Sequence, residues 1–93
     1  MSAEKFEARA QIINKKGLHA RASAKFVETV ARFQAEVTVS KGENVVSGRS
    51  IMGLMMLGAS QGTTIDLVAE GPQGREVLDA LVQLIAVKFY EDA

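Results

Sequence analysis

The sequence predicts an α+β fold: an open-faced β-sandwich in the order βαββαβα, with a four-stranded sheet covered on one face by three helices. Three observations carry this. Four short segments alternate apolar and polar residues, as half-buried strands do. Three others repeat apolar residues at helical spacing. The chain has 93 residues, room for one domain (1–93) whose single modest core buries only about 60% of the unfolded surface.

Phe6-Glu7-Ala8-Arg9-Ala10-Gln11-Ile12 alternates and reads as the first strand. Asn14-Lys15-Lys16-Gly17 breaks the pattern. From Ala20 the spacing turns helical, with Ala20, Ala24, Val27 and Ala31 on one stripe and Phe26, Val30 and Phe33 beside it. Glu36–Ser40 and Asn44–Ser47 flank Lys41-Gly42-Glu43, which reads as a hairpin. A short helix is expected from Ile51 to Leu57, opened by Ser50 and closed by Gly58. Thr63–Ala69 alternates again. After Gly71-Pro72, Val77, Leu78, Leu81, Leu84, Ile85, Lys88 and Phe89 trace a long amphipathic helix. Strands apolar on one face only suit a sheet that is covered on one side and wet on the other. Pattern alone leaves the strand order open.

Composition removes several function classes. Eleven basic and eleven acidic side chains balance to a formal charge of zero, which argues against nucleic-acid binding, since that needs a basic excess to displace counterions. No cysteine is present, so there is no disulfide, thiol nucleophile or thiolate metal site. A single histidine makes a zinc site poor, and neither a metal nor a cofactor is expected. Met1-Ser2-Ala3-Glu4-Lys5 has no apolar signal core, and no apolar run reaches the roughly 18 residues of a membrane span. A cytoplasmic domain without membrane insertion is expected. The charge is uneven along the chain: residues 1–50 carry nine Lys or Arg against five Asp or Glu, and residues 51–93 carry two against six. Gathered on one face, the basic residues would suit an acidic partner or a phosphate.

Two places could hold chemistry. In Gly17-Leu18-His19-Ala20-Arg21 the histidine falls where a polar loop meets a helix. The first amides of a helix have no internal acceptors and the dipole there is positive, so an anion is readily held. Arg21 offers a guanidinium fork to phosphate oxygens, and Lys15, Lys16 and Lys25 are near in sequence. Cationic surroundings disfavour a protonated imidazole, and a neutral one is a nucleophile. Spacing alone also permits a plain surface histidine capping the helix. No second general base is visible beside it, which speaks against a self-contained hydrolase. The other place is Ser47–Gly58. Ser50 precedes an apolar helical run and suits an ordinary N-cap. Ile51, Met52, Leu54, Met55 and Met56 make that helix apolar nearly all round, either as a core helix or as an adaptable face for a partner.

At these two segments the chain closely resembles the histidine-containing phosphocarrier (HPr) family of the bacterial phosphoenolpyruvate-dependent phosphotransferase system. Gly17-Leu18-His19-Ala20-Arg21, continued by Ala24-Lys25-Phe26-Val27, is similar to the family's phosphorylation-site motif. Arg49-Ser50-Ile51-Met52-Gly53-Leu54-Met55, continued by Leu57-Gly58-Ala59 and Gly62-Thr63, is similar to its regulatory-serine motif. The resemblance implies an antiparallel sheet of order 1-4-2-3. It implies that His19 accepts a phosphoryl group on Nδ1 from phosphorylated enzyme I and passes it to a histidine of an enzyme IIA component. The chain would then be a stoichiometric, monomeric carrier rather than a catalyst. Arg21 would steady the phosphohistidine, and Ser50 would be modified by an HPr kinase/phosphorylase. Ala20, Lys25, Val27, Arg49, Ile51, Met52, Leu54, Met55 and Met56 would form the partner face. The alternative is a regulatory module that binds regulators according to its phosphorylation state. The chain departs from the family in one place: Ala22-Ser23 stands where the family usually has proline and a small residue, which returns a backbone donor to the helix's first turn.

Overall fold

The computed structural model describes residues 4–93; residues 1–3 of the expected 1–93 domain lie outside the described residues. The elements are β1 (Lys5–Gln11), α1 (Ala20–Ala31), β2 (Glu36–Lys41), β3 (Asn44–Ser47), α2 (Ile51–Met56), β4 (Thr64–Glu70) and α3 (Gly74–Ala86). This is the βαββαβα order read from the sequence. The sheet is antiparallel with order β1-β4-β2-β3. β4, last in sequence, fills the slot between β1 and β2, so only β2 and β3 are neighbours both in sequence and in the sheet.

Alternation sets the register. Ala8 pairs with Leu67, Leu67 with Val39, and Val39 with Val46, so a row of apolar side chains crosses all four strands on the helix-covered face. Ile65, Leu67 and Ala69 are buried while Thr64 and Glu70, on the opposite face of β4, are exposed. Because strand side chains alternate, slipping β4 by one residue would turn Ile65 and Leu67 to water. β2 and β3 are joined through Gly42-Glu43, with Lys41 opposite Asn44. Gly42 has φ +60, the left-handed conformation that two-residue hairpins favour at their first central position.

The face that α1 presents differs from the alanine stripe expected from its spacing. Ala22, Phe26 and Val30 are fully buried, whereas Ala20 and Ala31 are exposed and Ala24 and Val27 half-buried. Burying a phenylalanine and a valine removes more apolar surface from water than burying alanines does, so the bulkier side chains set the helix's rotation. In α3 the expected stripe is observed: Val77, Leu78, Leu81, Leu84 and Ile85 are buried.

The loop before α1 is anchored across the molecule. Leu18 is buried and its N–H donates to the Ala59 carbonyl at 2.9 Å. Gly17 has φ +66, and a Cβ there would stand 2.4 Å from the Ala59 carbonyl oxygen and 2.8 Å from Ser60 Cα. Both obstructions are backbone atoms. Gly17→Ala is therefore expected to destabilise the fold by about 2 kcal/mol or more, read by urea unfolding; a loss below about 0.5 kcal/mol would contradict this close approach.

Candidate functional site

The site is built on a turn and the helix that follows it. Asn14 is fully buried. Its carbonyl accepts the Gly17 N–H at 3.2 Å and its side-chain Nδ2 donates to the Gly17 carbonyl at 2.9 Å, closing the turn reciprocally. His19 takes the N-cap position of α1 in extended conformation, but its side chain makes no capping bond. The simple reading of the ring as a helix cap is thereby removed. Ser23 N–H donates to the His19 carbonyl at 2.9 Å as the first turn closes. The amides of Ala20, Arg21 and Ala22 precede that bond, and such first-turn donors lack intrahelical acceptors.

The His19 side chain is 28% exposed, and its Nε2 lies 2.5 Å from Oε2 of Glu91. The other oxygen of that carboxylate, Oε1, accepts from Asn14 Nδ2 at 3.0 Å. Burial pushes the Glu91 carboxyl up. Hydrogen bonds from His19 and Asn14, with attraction to the His19 ring and Lys16, outweigh burial and hold the carboxyl below its ordinary value of 4.5. The expected cationic surround of the histidine is corrected in one respect: a carboxylate touches the ring directly. Nothing in the local sequence singled out Glu91, which stands 72 positions from His19.

The tail reaches the ring by an unusual path. The last helix was expected to run through Lys88 and Phe89, but α3 ends at Ala86. Lys88, Phe89 and Tyr90 then adopt left-handed conformations, with φ of 57, 55 and 63. For non-glycine residues each such conformation costs about 1–2 kcal/mol. Phe89 offsets part of this cost, being fully buried. Lys25 Nζ donates to the Phe89 carbonyl at 2.6 Å and sits 5.7 Å from the centroid of the Tyr90 ring. Lys15 N–H donates to the Ala93 carbonyl at 3.1 Å. These long-range contacts override the helical pattern. Lys15, Lys16, His19, Arg21, Tyr90 and Glu91 line a groove of about 600 Å³. Arg21 is exposed and makes no side-chain hydrogen bond or ion pair among the described residues.

At the second motif Ser50 is the N-cap of α2. Its Oγ accepts the Gly53 N–H at 2.9 Å and its carbonyl accepts the Leu54 N–H at 3.0 Å. α2 packs beside α1. It leaves Met52 69% and Met56 80% exposed, with Ile51 and Met55 also at the surface. The candidate partner face is smaller than expected. Leu54 is fully buried and belongs to the core, because a six-residue helix on a small domain has to seat at least one side inward. Val27 is half-buried against the core. Lys25 is engaged by the tail, while Arg49 donates from Nη2 to the Ala35 carbonyl at 3.1 Å and lies 3.9 Å from Glu36. Ala20, Arg49, Ile51, Met52, Met55 and Met56 remain exposed.

Residues 6–87 match the family model described as the PTS HPr component phosphorylation site. The chain belongs to the HPr family, the phosphocarriers of the phosphotransferase system. It is 52% identical over 81 residues to a phosphocarrier protein HPr of Neisseria meningitidis, covering 87% of this chain and 91% of that one. It is 41% identical over 87 residues to the phosphocarrier protein NPr of Shewanella violacea, covering 94% and 96%. In structure it is similar to HPr-C-His from Thermoanaerobacter tengcongensis, with a TM-score of 0.90 and 45% identity over 95% of this chain and 99% of the other. The family match takes in His19, Arg21 and Ser50, and ends before Glu91.

A carboxylate held below its ordinary value stabilises the folded state when ionised, and that contribution is lost as the pH falls through the folded value. Between about pH 5 and pH 3 the native chain is expected to lose more stability than Glu91→Gln, measured by denaturant midpoints. Parallel losses in the two chains would show that Glu91 does not gain these contacts on folding.

Proposed function

We propose that His19 is the phosphoryl acceptor of this carrier, charged by phosphorylated enzyme I and discharged to a histidine of an enzyme IIA component. The observation that carries this reading is the uncapped, partly exposed His19 ring at the start of α1, in one groove with an uncommitted Arg21. In the transfer, the Nδ1 lone pair forms the bond to phosphorus. The bond from phosphorus to the donor breaks, and its electron pair leaves with the donor. Arg21 and the first-turn amides of α1 offer donors to the phosphoryl oxygens, whose charge the helix N-terminus favours. Onward transfer reverses these events on the acceptor. Ala22 in the family's proline position keeps the helical geometry and adds one more amide to that turn.

The exposed methionines of α2, with Ile51 and Ala20, form the docking face for these partners, since flexible thioether side chains adapt to more than one surface. The carrier works as a monomer in the cytoplasm, so that the face and the groove are open to each partner in turn. No helix among the described residues is long and apolar enough to cross a membrane. Ser50 is the regulatory site, modified by an HPr kinase/phosphorylase. A phosphate there adds about −1.5 to −2 charge at neutral pH. It suits the N-terminus of α2 but places charge beside an apolar face. A second reading, a regulatory module that binds regulators according to its phosphorylation state, rests on the Ser50 cap and the exposed methionines of α2.

Phosphoenolpyruvate with enzyme I is expected to label the native chain with an acid-labile phosphate, and His19→Ala is expected to take up none. Undiminished labelling of His19→Ala would remove His19 from the reaction. Ser50→Asp is expected to weaken binding to enzyme I by about tenfold or more in a calorimetric titration; unchanged affinity would separate Ser50 from the docking face.

A further inference from the structure

We infer that Glu91 is a positioning residue: through its contact with Nε2 it holds the His19 ring in the tautomer that leaves Nδ1 unprotonated and nucleophilic. This rests on His19 being the phosphoryl acceptor. An ionised carboxylate has no proton to give and can only accept. With Glu91 Oε2 2.5 Å from His19 Nε2, the ring proton belongs on Nε2, and Nδ1 carries the lone pair. The carboxylate is in turn held by Asn14 Nδ2 on its other oxygen.

Asn14 cannot turn over to relax this arrangement. Its Nδ2 serves both the Gly17 carbonyl and Glu91 Oε1, so a flipped amide would set its oxygen against two acceptors. Among the described residues Asn14 Oδ1 is buried without a hydrogen-bond partner, an exception among buried polar atoms that calls for a reason. Keeping both amide protons on Gly17 and Glu91 supplies one. The left-handed run Lys88–Tyr90 is strained backbone of the kind that persists where the surroundings over-determine it, often at functional sites. Here Lys25 and the buried Phe89 hold the run in place and deliver Glu91 to the ring.

The consequence for transfer follows from charge. As Nδ1 bonds to phosphorus, Nε2 keeps its proton and the ring becomes cationic; the electron pair of the broken bond stays with the donor. Glu91 then faces the positive charge at hydrogen-bond distance. On discharge, the Nδ1–P pair returns to Nδ1 and the ring is neutral again with its proton still on Nε2.

The test uses the single histidine of the chain, whose two ring nitrogens give one resolved pair of 15N resonances. The native chain is expected to show the Nε2–H tautomer. Glu91→Ala should lose that preference and slow single-turnover transfer from phosphorylated enzyme I by about tenfold or more, as loss of an orienting partner commonly does, with unchanged affinity for enzyme I. Glu91→Gln should do worse than alanine. The fixed Asn14 amide claims its only carboxamide oxygen, its NH₂ group faces Nε2, and the ring proton moves to Nδ1. A purely structural role would rank glutamine closer to the native chain. Both variants keeping the Nε2–H tautomer and transferring within about twofold of the native rate would overturn the inference. Absence of any label on His19 in the native chain would instead overturn the acceptor assignment, and the tautomer measurement would still decide whether Glu91 holds the ring.

Discussion

Two segments far apart in the chain meet at one buried carboxamide. Asn14 closes the turn to Gly17 and reaches the carboxylate that touches His19. Neither contact could be given up cheaply, because a buried polar group that loses its partner carries the full cost of desolvation. The position of His19 thus depends on a side chain with no exposure to solvent. Leu18 and its bond to Ala59 fix the turn from the other side, so the histidine is mounted on two anchors while its own ring stays outside the helix's capping scheme.

The opposite condition holds at α2. Only Leu54 among its residues is buried, and the remaining apolar side chains stay in water at a cost to solubility rather than to folding. A small domain has too little interior to enclose a helix apolar on all sides, and the surplus stays as exposed apolar surface. Ser50 sits at the junction of these two demands. Its hydroxyl satisfies the Gly53 amide, and the helix that it caps carries the exposed methionines. α1 and α2 pack against each other, while the groove at His19 is lined by the turn before α1, the start of α1 and the tail.

The strands, the hairpin, Ser50 as a cap and the inward stripe of α3 were legible in residue order, because each depends on periodicity or on turn chemistry within a few positions. The two motifs were legible as well, and they singled out His19 and Ser50 as candidates before any contact was known. Periodicity, however, reports spacing and not phase. The alanines and the Phe26–Val30 edge of α1 were equally regular, and only packing against the sheet decided that Phe26 goes inward. For the same reason Leu54 could not be told from Met55 on an all-apolar helix.

The sequence by itself determined the element order, the single modest core and the pairing of a histidine with an arginine at a helix start, since these are local properties of neighbouring residues. Tertiary structure alone decided which strand lies in the middle of the sheet, where α3 stops, and that Glu91 stands against His19. A contact across 72 positions leaves no trace in local spacing. A left-handed run of three non-glycine residues runs against their intrinsic preference, and it exists because Lys25, the seat of Phe89 and the histidine ring hold it there.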